Sequence, residues 1–461
     1  MESAPTLLSN YVQINTSTSE GNEKSGLLYM QRLADSFGLY TYFHETAPSK
    51  GNLIIALREE DLQPFYDEVF FYDNQRKGTP FPQKPMVLLS HVDVVDANPD
   101  GWIYPPFSGK IVDDFIWGRG TIDAKQIGIV HLMTMKKLRG TKTSLSIVQV
   151  ITSEEEYGSE NGLKRLLRDY PFLWKDAIVW NEGGGFPIEV GGTFFYLVET
   201  GQKGNMSFTL TIPRKPSGNP YLPSNEAELS AFRIAQSVAA LQVPQEQMQP
   251  SVSTMFELME RKLGISSKTE GFEELFDLIP EKYNRMFSAM VKTTFTVTSI
   301  CGGKQVKESN GAYTISVDVR PLPDTDLATV KNLVEQKVKS IQPSALINWH
   351  AMNAGYDQTL DEKLRLLLQE KLEKSGVEAV VVPFMTIGSN DGKYFKEKHA
   401  EVLGYCPMTS EMTFDKVLPL VHGMDERISI KDLEFGISQM VEIMESLIER
   451  YTEGEIAYER Q

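Results

Sequence analysis

Cysteine is almost absent from this chain: Cys301 and Cys406 are the only two in 461 residues, and they lie far apart. That usage excludes a disulfide framework and a thiolate metal site, and it fits a reducing, cytoplasmic setting. A basic excess is missing as well. Lys and Arg number 46 against 62 Asp and Glu, a formal net charge of -16. Because a phosphate-binding surface needs positive charge, nucleic acid is not an expected partner. The opening MESAPTLLSNYVQ has no basic region ahead of a long apolar stretch, and no run of 18 apolar residues occurs elsewhere. Neither a signal peptide nor a membrane span is expected. Internal repeats and low-complexity tracts are lacking too, and histidine occurs only 6 times.

What is present is ordinary for a globular chain: 41% hydrophobic and 23% charged residues, at a length suited to two or three domains with ample core. Residues 25–37 carry apolar positions at helical spacing and stop at Gly38, and residues 52–57 read as a strand. MVLLSHVDVV (86–95) is almost wholly apolar around His91 and Asp93, as in a strand buried on both faces of a mixed sheet. A helix over about 124–138 and the strand SLSIVQVIT follow, so strands alternate with helices in a layered α/β domain. After Glu199 the pattern changes. MSFTLTI, FTVTSI and AYTISVDV flank a helix near 227–241 before alternation resumes near Leu327. The expected division is a catalytic domain of 1–199 and 321–461, interrupted by an α+β insert at 200–320. The stretch from Arg214 to Asn225, rich in Pro, Ser and Asn, reads as a surface loop of that insert.

Acids and histidines recur at the ends of these apolar strands. In a strand, His91 and Asp93 share a face, so Asp93 can accept the second ring N–H of His91 while the other nitrogen holds a metal. A buried histidine beside a structural carboxylate is the plainer alternative. Asp123 follows Gly118 and Gly120, which permit a sharp turn into a crowded site; an ordinary helix N-cap is the competing role. Glu154, Glu155 and Glu156 end an apolar strand, and their mutual repulsion would be relieved by cations. Glu182 follows AIVW and precedes three glycines, and His422 lies in VHGMDERI. Taken together, these residues point to a two-metal hydrolase. His44, His131, His350 and His399 lack an acidic partner at metal spacing and read as surface or core residues.

The segments HVD, GRGTIDAK, SEEEYGS, NEGG and HGMDER, in this order with an insert before the last, resemble the M20 metallopeptidases. That group includes aminoacylase-1, glutamate carboxypeptidase, succinyl-diaminopimelate desuccinylase and carboxypeptidase S. The resemblance implies a zinc-exopeptidase-like catalytic domain, a mixed sheet flanked by helices, with the insert as lid and dimerisation domain. It implies two divalent ions per chain, Zn2+ first, with Co2+ or Mn2+ as alternatives. His91, Asp123 and Glu182 would hold one ion; Asp123, Glu156 and His422 would hold the other. Glu155 would be the general base, in the register anchored by Gly158, whereas a slip of one residue would move both roles to Glu154 and Glu155. A cis peptide between Asp123 and Ala124 is also implied.

For substrate, the resemblance implies a dipeptide or short peptide with a free C-terminal carboxylate, or alternatively an N-acyl amino acid. Arg320 in SVDVRPLP stands where relatives carry a carboxylate-binding arginine. Lys393 in GSNDGKYF replaces a common Arg, exchanging a bidentate fork for a point charge. The insert departs from the family: RKPSGNPYLP offers Gly218 and Asn219 where many relatives have Gly-His, and Gln305 stands where Asn is frequent. Asn219 can donate to a developing oxyanion but carries no charge. A non-catalytic metal- or peptide-binding protein is the competing reading outside this class.

Overall fold

The computed structural model describes residues 2–19, 22–66, 85–213, 226–244, 247–265, 272–302, 312–396 and 400–452. A ten-stranded mixed sheet forms its centre. From one edge the order is Tyr40–Ala47, Lys50–Ala56, Ile147–Thr152, Met86–His91, Ile178–Asn181, Glu401–Gly404, Thr193–Gln202 and Tyr356–Asp357. Ala379–Thr386 and Pro187–Val190 also pair with Thr193–Gln202. Side chains alternate across this sheet as the pleat requires. Met86 and Leu88 pack with Leu53, Ile55, Ile147 and Ile151, whereas Val87 and Leu89 pack with Ile54, Ala56, Val148 and Val150 on the other side. Because both faces are covered, these strands read as unbroken apolar runs. Truncating one such side chain, Leu88→Ala for example, would cost about 2–5 kcal/mol.

The helix Lys125–Leu138 lies against Met86–His91 and Ile147–Thr152, with the C-terminal helix Ile430–Thr452 packed over it. The strand containing His91 is shorter than expected. It ends at His91 and not at Val95, so Asp93 stands in the turn beyond it.

A second sheet has four antiparallel strands in the order Thr294–Gly302, Tyr313–Arg320, Asn205–Ile212 and Leu346–Asn353. Phe208, Leu210, Ile315 and Val317 meet two helices, Glu226–Ala239 through Ala231, Ile234 and Val238, and Leu327–Ile341 through Val330, Val334 and Val338. The four-residue spacing of those three valines makes one apolar stripe. Asp326 caps the second helix by accepting the N–H groups of Ala328 and Thr329.

This sheet differs from the insert expected at 200–320. Leu327–Ile341 and Leu346–Asn353 join it although they lie beyond Arg320. Helices Pro250–Leu263 and Glu281–Met290, inside that range, pack instead on the central sheet, where Phe256, Tyr283 and Phe287 share a core with Phe195, Leu197, Val382 and Phe384. Thr193–Gln202 also runs unbroken past Glu199. A small third sheet pairs Lys110–Val112 with Phe115–Trp117 and the latter with Arg427–Ser429. Gly218, Asn219, Gln305 and His399, together with the expected loop from Arg214 to Asn225, lie outside the described residues. Among those described, no helix is long and apolar enough to cross a membrane.

Candidate active site

Met86–His91 runs parallel to both Ile147–Thr152 and Ile178–Asn181, so the three strands end on one edge of the sheet. Ligands of open α/β sheets gather at such C-terminal ends. His91 is the last residue of its strand, Glu155 and Glu156 follow the second, and Glu182 follows the third. Asp123 comes from the turn before the helix Lys125–Leu138, and its peptide bond to Ala124 is cis. His422 comes from the loop that Arg427–Ser429 draws alongside Phe115–Trp117.

These side chains converge. His91 Nε2 lies 3.0 Å from Asp123 Oδ1 and 3.3 Å from Glu182 Oε2. His422 Nε2 lies 3.1 Å from Asp123 Oδ2 and 3.0 Å from Glu156 Oε2. Asp123 therefore presents one oxygen to each histidine. In each of the trios His91, Asp123, Glu182 and Asp123, Glu156, His422, the donor atoms lie within 4.8 Å of one another. Glu155 forms a third such group with His91 and Glu156. Glu154 does not enter: its carboxylate accepts from Lys50 Nζ and from the backbone and side-chain nitrogens of Asn161. Its backbone is left-handed (φ 62°), which turns the next two acids toward the cleft.

The expected pairing of the Asp93 carboxylate with the His91 ring is not what the structure has. His91 Nδ1 lies 2.9 Å from the main-chain carbonyl of Asp93, and the nearer carboxylate oxygen is 3.6 Å away. The fully buried Asp93 carboxylate instead accepts the backbone N–H groups of Glu155 (3.1 Å) and Glu156 (3.0 Å). The strand stops at His91, so the alternation rule no longer applies two residues on.

Burial, together with Glu182 and Asp391, pushes the Glu155 carboxyl well up. Burial and the Asp123 charge push Glu156 up to about 7, and burial also raises Glu182. Burial opposes ionisation of Asp123, but hydrogen bonds from His422 and His91 outweigh it and hold this group down. Hydrogen bonds to Asp123 and Glu156 raise His422 to about 10. Buried acids at this density repel one another, and divalent cations would relieve the cost. Two imidazoles and carboxylates, without thiolate, form a donor set suited to Zn2+, Co2+ or Mn2+. The residues present thus fit a pair of metal ions.

The acids face a cleft of about 850 Å³. Lys393, Arg320 and His350 line it, so His350 has a place beside the site that its sequence context did not indicate. Arg320 is forked to Asp318, Nε to Oδ1 at 2.7 Å and Nη2 to Oδ2 at 3.1 Å. Phe186, Met408, Phe414, Val417, Leu418 and Val421 form an apolar wall. His44 meets Asp169 at 3.2 Å and neither lines the cleft, and His131 is wholly buried. Sequence reasoning also missed Glu199, buried beneath the Glu182 turn. It accepts from Asn390, Gln202 and Tyr356, and burial pushes it up to about 8. A side chain at Gly183 (φ 107°) would place Cβ 2.0 Å from its Oε2, so the tight turn after Glu182 requires glycine. An acid within the apolar run FFYLVET was the available signal.

Residues 87–446 match Peptidase family M20/M25/M40. N-fatty-acyl-amino acid synthase/hydrolase PM20D1 of Xenopus tropicalis is 25% identical over 389 residues, covering 78% of this chain and 72% of its own length. Probable carboxypeptidase S-like 2 of Dictyostelium discoideum is 26% identical over 377 residues, covering 77% and 70%. Among solved structures, the M20 family metallo-carboxypeptidase Sso-CP2 of Sulfolobus solfataricus superposes with a TM-score of 0.66 at 17% identity, covering 96% of this chain and 99% of its own; this likeness concerns the fold. With most of its length matched, the chain belongs to peptidase family M20/M25/M40 and is an M20-type hydrolase.

Proposed function

We propose that the protein is a di-zinc metallohydrolase that cleaves the amide bond of dipeptides or short peptides bearing a free C-terminal carboxylate. The observation carrying this reading is Asp123, whose two oxygens face His91 and His422 in two separate ligand trios. His91, Asp123 and Glu182 would hold one ion, and Asp123, Glu156 and His422 the other. Two divalent ions bound there would supply a lowered water pKa and polarisation of the scissile carbonyl. Glu155 takes a proton from the attacking water and delivers it to the departing amine, a role typically worth about 10²- to 10⁴-fold. Asp93 holds the backbone of that turn. Arg320 and Lys393 attract the substrate carboxylate.

A second reading, hydrolysis of N-acyl amino acids, is favoured by the apolar wall from Phe186 to Val421. It also draws on the PM20D1 relative, whose name gives an N-fatty-acyl-amino acid activity. The four-stranded sheet with its two helices would serve as lid and as the surface joining two copies into a dimer. Closure of such a unit would exclude water from the site. Both cysteines are free, which suits a reducing cytoplasm.

The test is amide hydrolysis by metal-replete protein over dipeptides, tripeptides and N-acyl amino acids, beside Glu155→Gln and a chelated control. Turnover abolished in both controls is expected, and the panel separates peptidase from acylase activity. Full activity of Glu155→Gln would overturn the assignment of the base. Turnover of no substrate by protein carrying two metal ions would favour a binding role.

A further inference from the structure

We infer that Glu426 and Arg119 are positioning residues that hold Asp123 and His422 at the spacing of one metal site. The inference rests on the two-metal reading above. Asp123 and His422 come from loops remote in sequence, and a ligand trio containing both needs those loops fixed relative to one another.

Glu426 is fully buried. Its Oε1 accepts three backbone N–H groups of the Asp123 loop, from Gly120 (3.0 Å), Ile122 (2.7 Å) and Asp123 itself (3.1 Å). Its Oε2 accepts from Arg119 Nη1 at 2.7 Å. Arg119, only 3% exposed, donates through Nη2 to the main-chain carbonyl of His422 at 3.1 Å. The Glu426 carbonyl also accepts the Gly118 N–H at 2.8 Å. Each of these bonds runs to the Asp123 loop or from that loop to the His422 loop. Three N–H groups converging on one oxygen create a local positive field that a carboxylate satisfies best.

Neither Glu426 nor Arg119 lines the cleft. They therefore act through Asp123 and His422, as outer partners that orient metal ligands do. Their location also separates the two proposed ion sites. Glu182 comes from a central strand end and reaches neither member of the pair, so the ion held by His91 and Glu182 depends on the clamp only through Asp123. The ion held by Glu156 and His422 depends on it at two ligands.

Glu426→Gln retains one oxygen for the three N–H groups but turns an amide nitrogen toward the Arg119 guanidinium, donor against donor. Arg119→Lys leaves a charge beside Glu426, yet a single ammonium cannot reproduce the fork that reaches both Glu426 and the His422 carbonyl. Metal-free protein, confirmed as folded by near-UV circular dichroism, is titrated with Co2+ and followed by visible absorption and by stoichiometry. His422→Ala serves as reference. The expected result for either variant is one Co2+ equivalent weakened about 10- to 100-fold. The other equivalent shifts less, and the spectrum at one equivalent matches that of His422→Ala. Should Glu426→Gln fail to fold, Arg119→Lys carries the test alone. Equal loss at both equivalents, or no loss at either, in a folded variant overturns the clamp. Failure of the unaltered protein to bind two Co2+ overturns the two-metal reading and the clamp with it.

Discussion

His91 is fixed by the main chain of Asp93 and not by its side chain: Nδ1 lies 2.9 Å from the Asp93 carbonyl oxygen. A carbonyl can only accept, so Nδ1 carries the proton and Nε2 is the nitrogen aimed at Asp123 and Glu182. This relationship frees the Asp93 carboxylate to bind the turn that carries Glu155 and Glu156.

Asp93→Asn separates the two tasks. Its amide nitrogen would face one of two backbone N–H groups, leaving a buried donor unpaired at a cost of about 1–3 kcal/mol. The turn must shift, and a displacement near 1 Å is worth about 10²-fold in rate. We expect kcat to fall by about that factor while the His91 Nδ1–H resonance, followed by 15N NMR, stays in place. A lost or strongly shifted resonance would mean that the carboxylate orients the ring after all.

Arg320 offers a prediction about substrate. Its fork to Asp318 occupies Nε and one hydrogen of Nη2, which leaves three of five N–H donors for a ligand in the cleft. A charge-assisted bond is worth about 1.5–3 kcal/mol, so Arg320→Met should lower kcat/KM about 10- to 100-fold for substrates with a free terminal carboxylate. Amidated versions of the same substrates should be affected little. Equal losses on both would assign Arg320 to the architecture of the second sheet alone.

Much of the central layer was legible because its strands are buried on both faces and therefore read as apolar runs, so an acid or histidine at their ends stood out. The same logic explains the failures. Asp93 sits two residues past the end of the strand, where period-2 alternation has ended. Leu346–Asn353 was not assigned to the second sheet because Ile347 and Trp349 face its core while apolar Leu346 and Met352 stand on the exposed face, which blurs the polar–apolar alternation in sequence. Glu426 and Arg119 lie inside the quoted motifs, but their partnership depends on Arg427–Ser429 pairing with Phe115–Trp117, a long-range contact that spacing does not reveal.

Metal removal gives a stability measurement independent of turnover. A ligand that binds only the folded state stabilises it by about 2.7 kcal/mol at a hundredfold excess over Kd. Two sites should therefore raise the urea midpoint of chelator-stripped protein when Zn2+ is restored. His422→Ala should retain roughly half of that gain, because the trio of His91, Asp123 and Glu182 is left whole. A variant that gains as much as the unaltered protein would remove His422 from the ligand set.

His131 makes the last prediction, on pH. It is wholly buried in the helix Lys125–Leu138, and neither ring nitrogen has a hydrogen-bond partner among the described residues. Burial alone pushes it down from 6.5 to about 3 in the folded protein. Between those values the unfolded chain binds the extra proton, so the neutral ring's contribution is fully present above pH 6.5 and is lost as pH falls toward 3. From pH 7 to pH 5 the loss amounts to about 2 kcal/mol. His131→Leu removes the titrating group while keeping an apolar side chain of similar bulk. Urea unfolding at the two pH values should show the variant losing less stability than the unaltered protein by about that amount. Parallel losses in both proteins would show that His131 finds a hydrogen-bond acceptor for its charged ring in solution and titrates near its ordinary value.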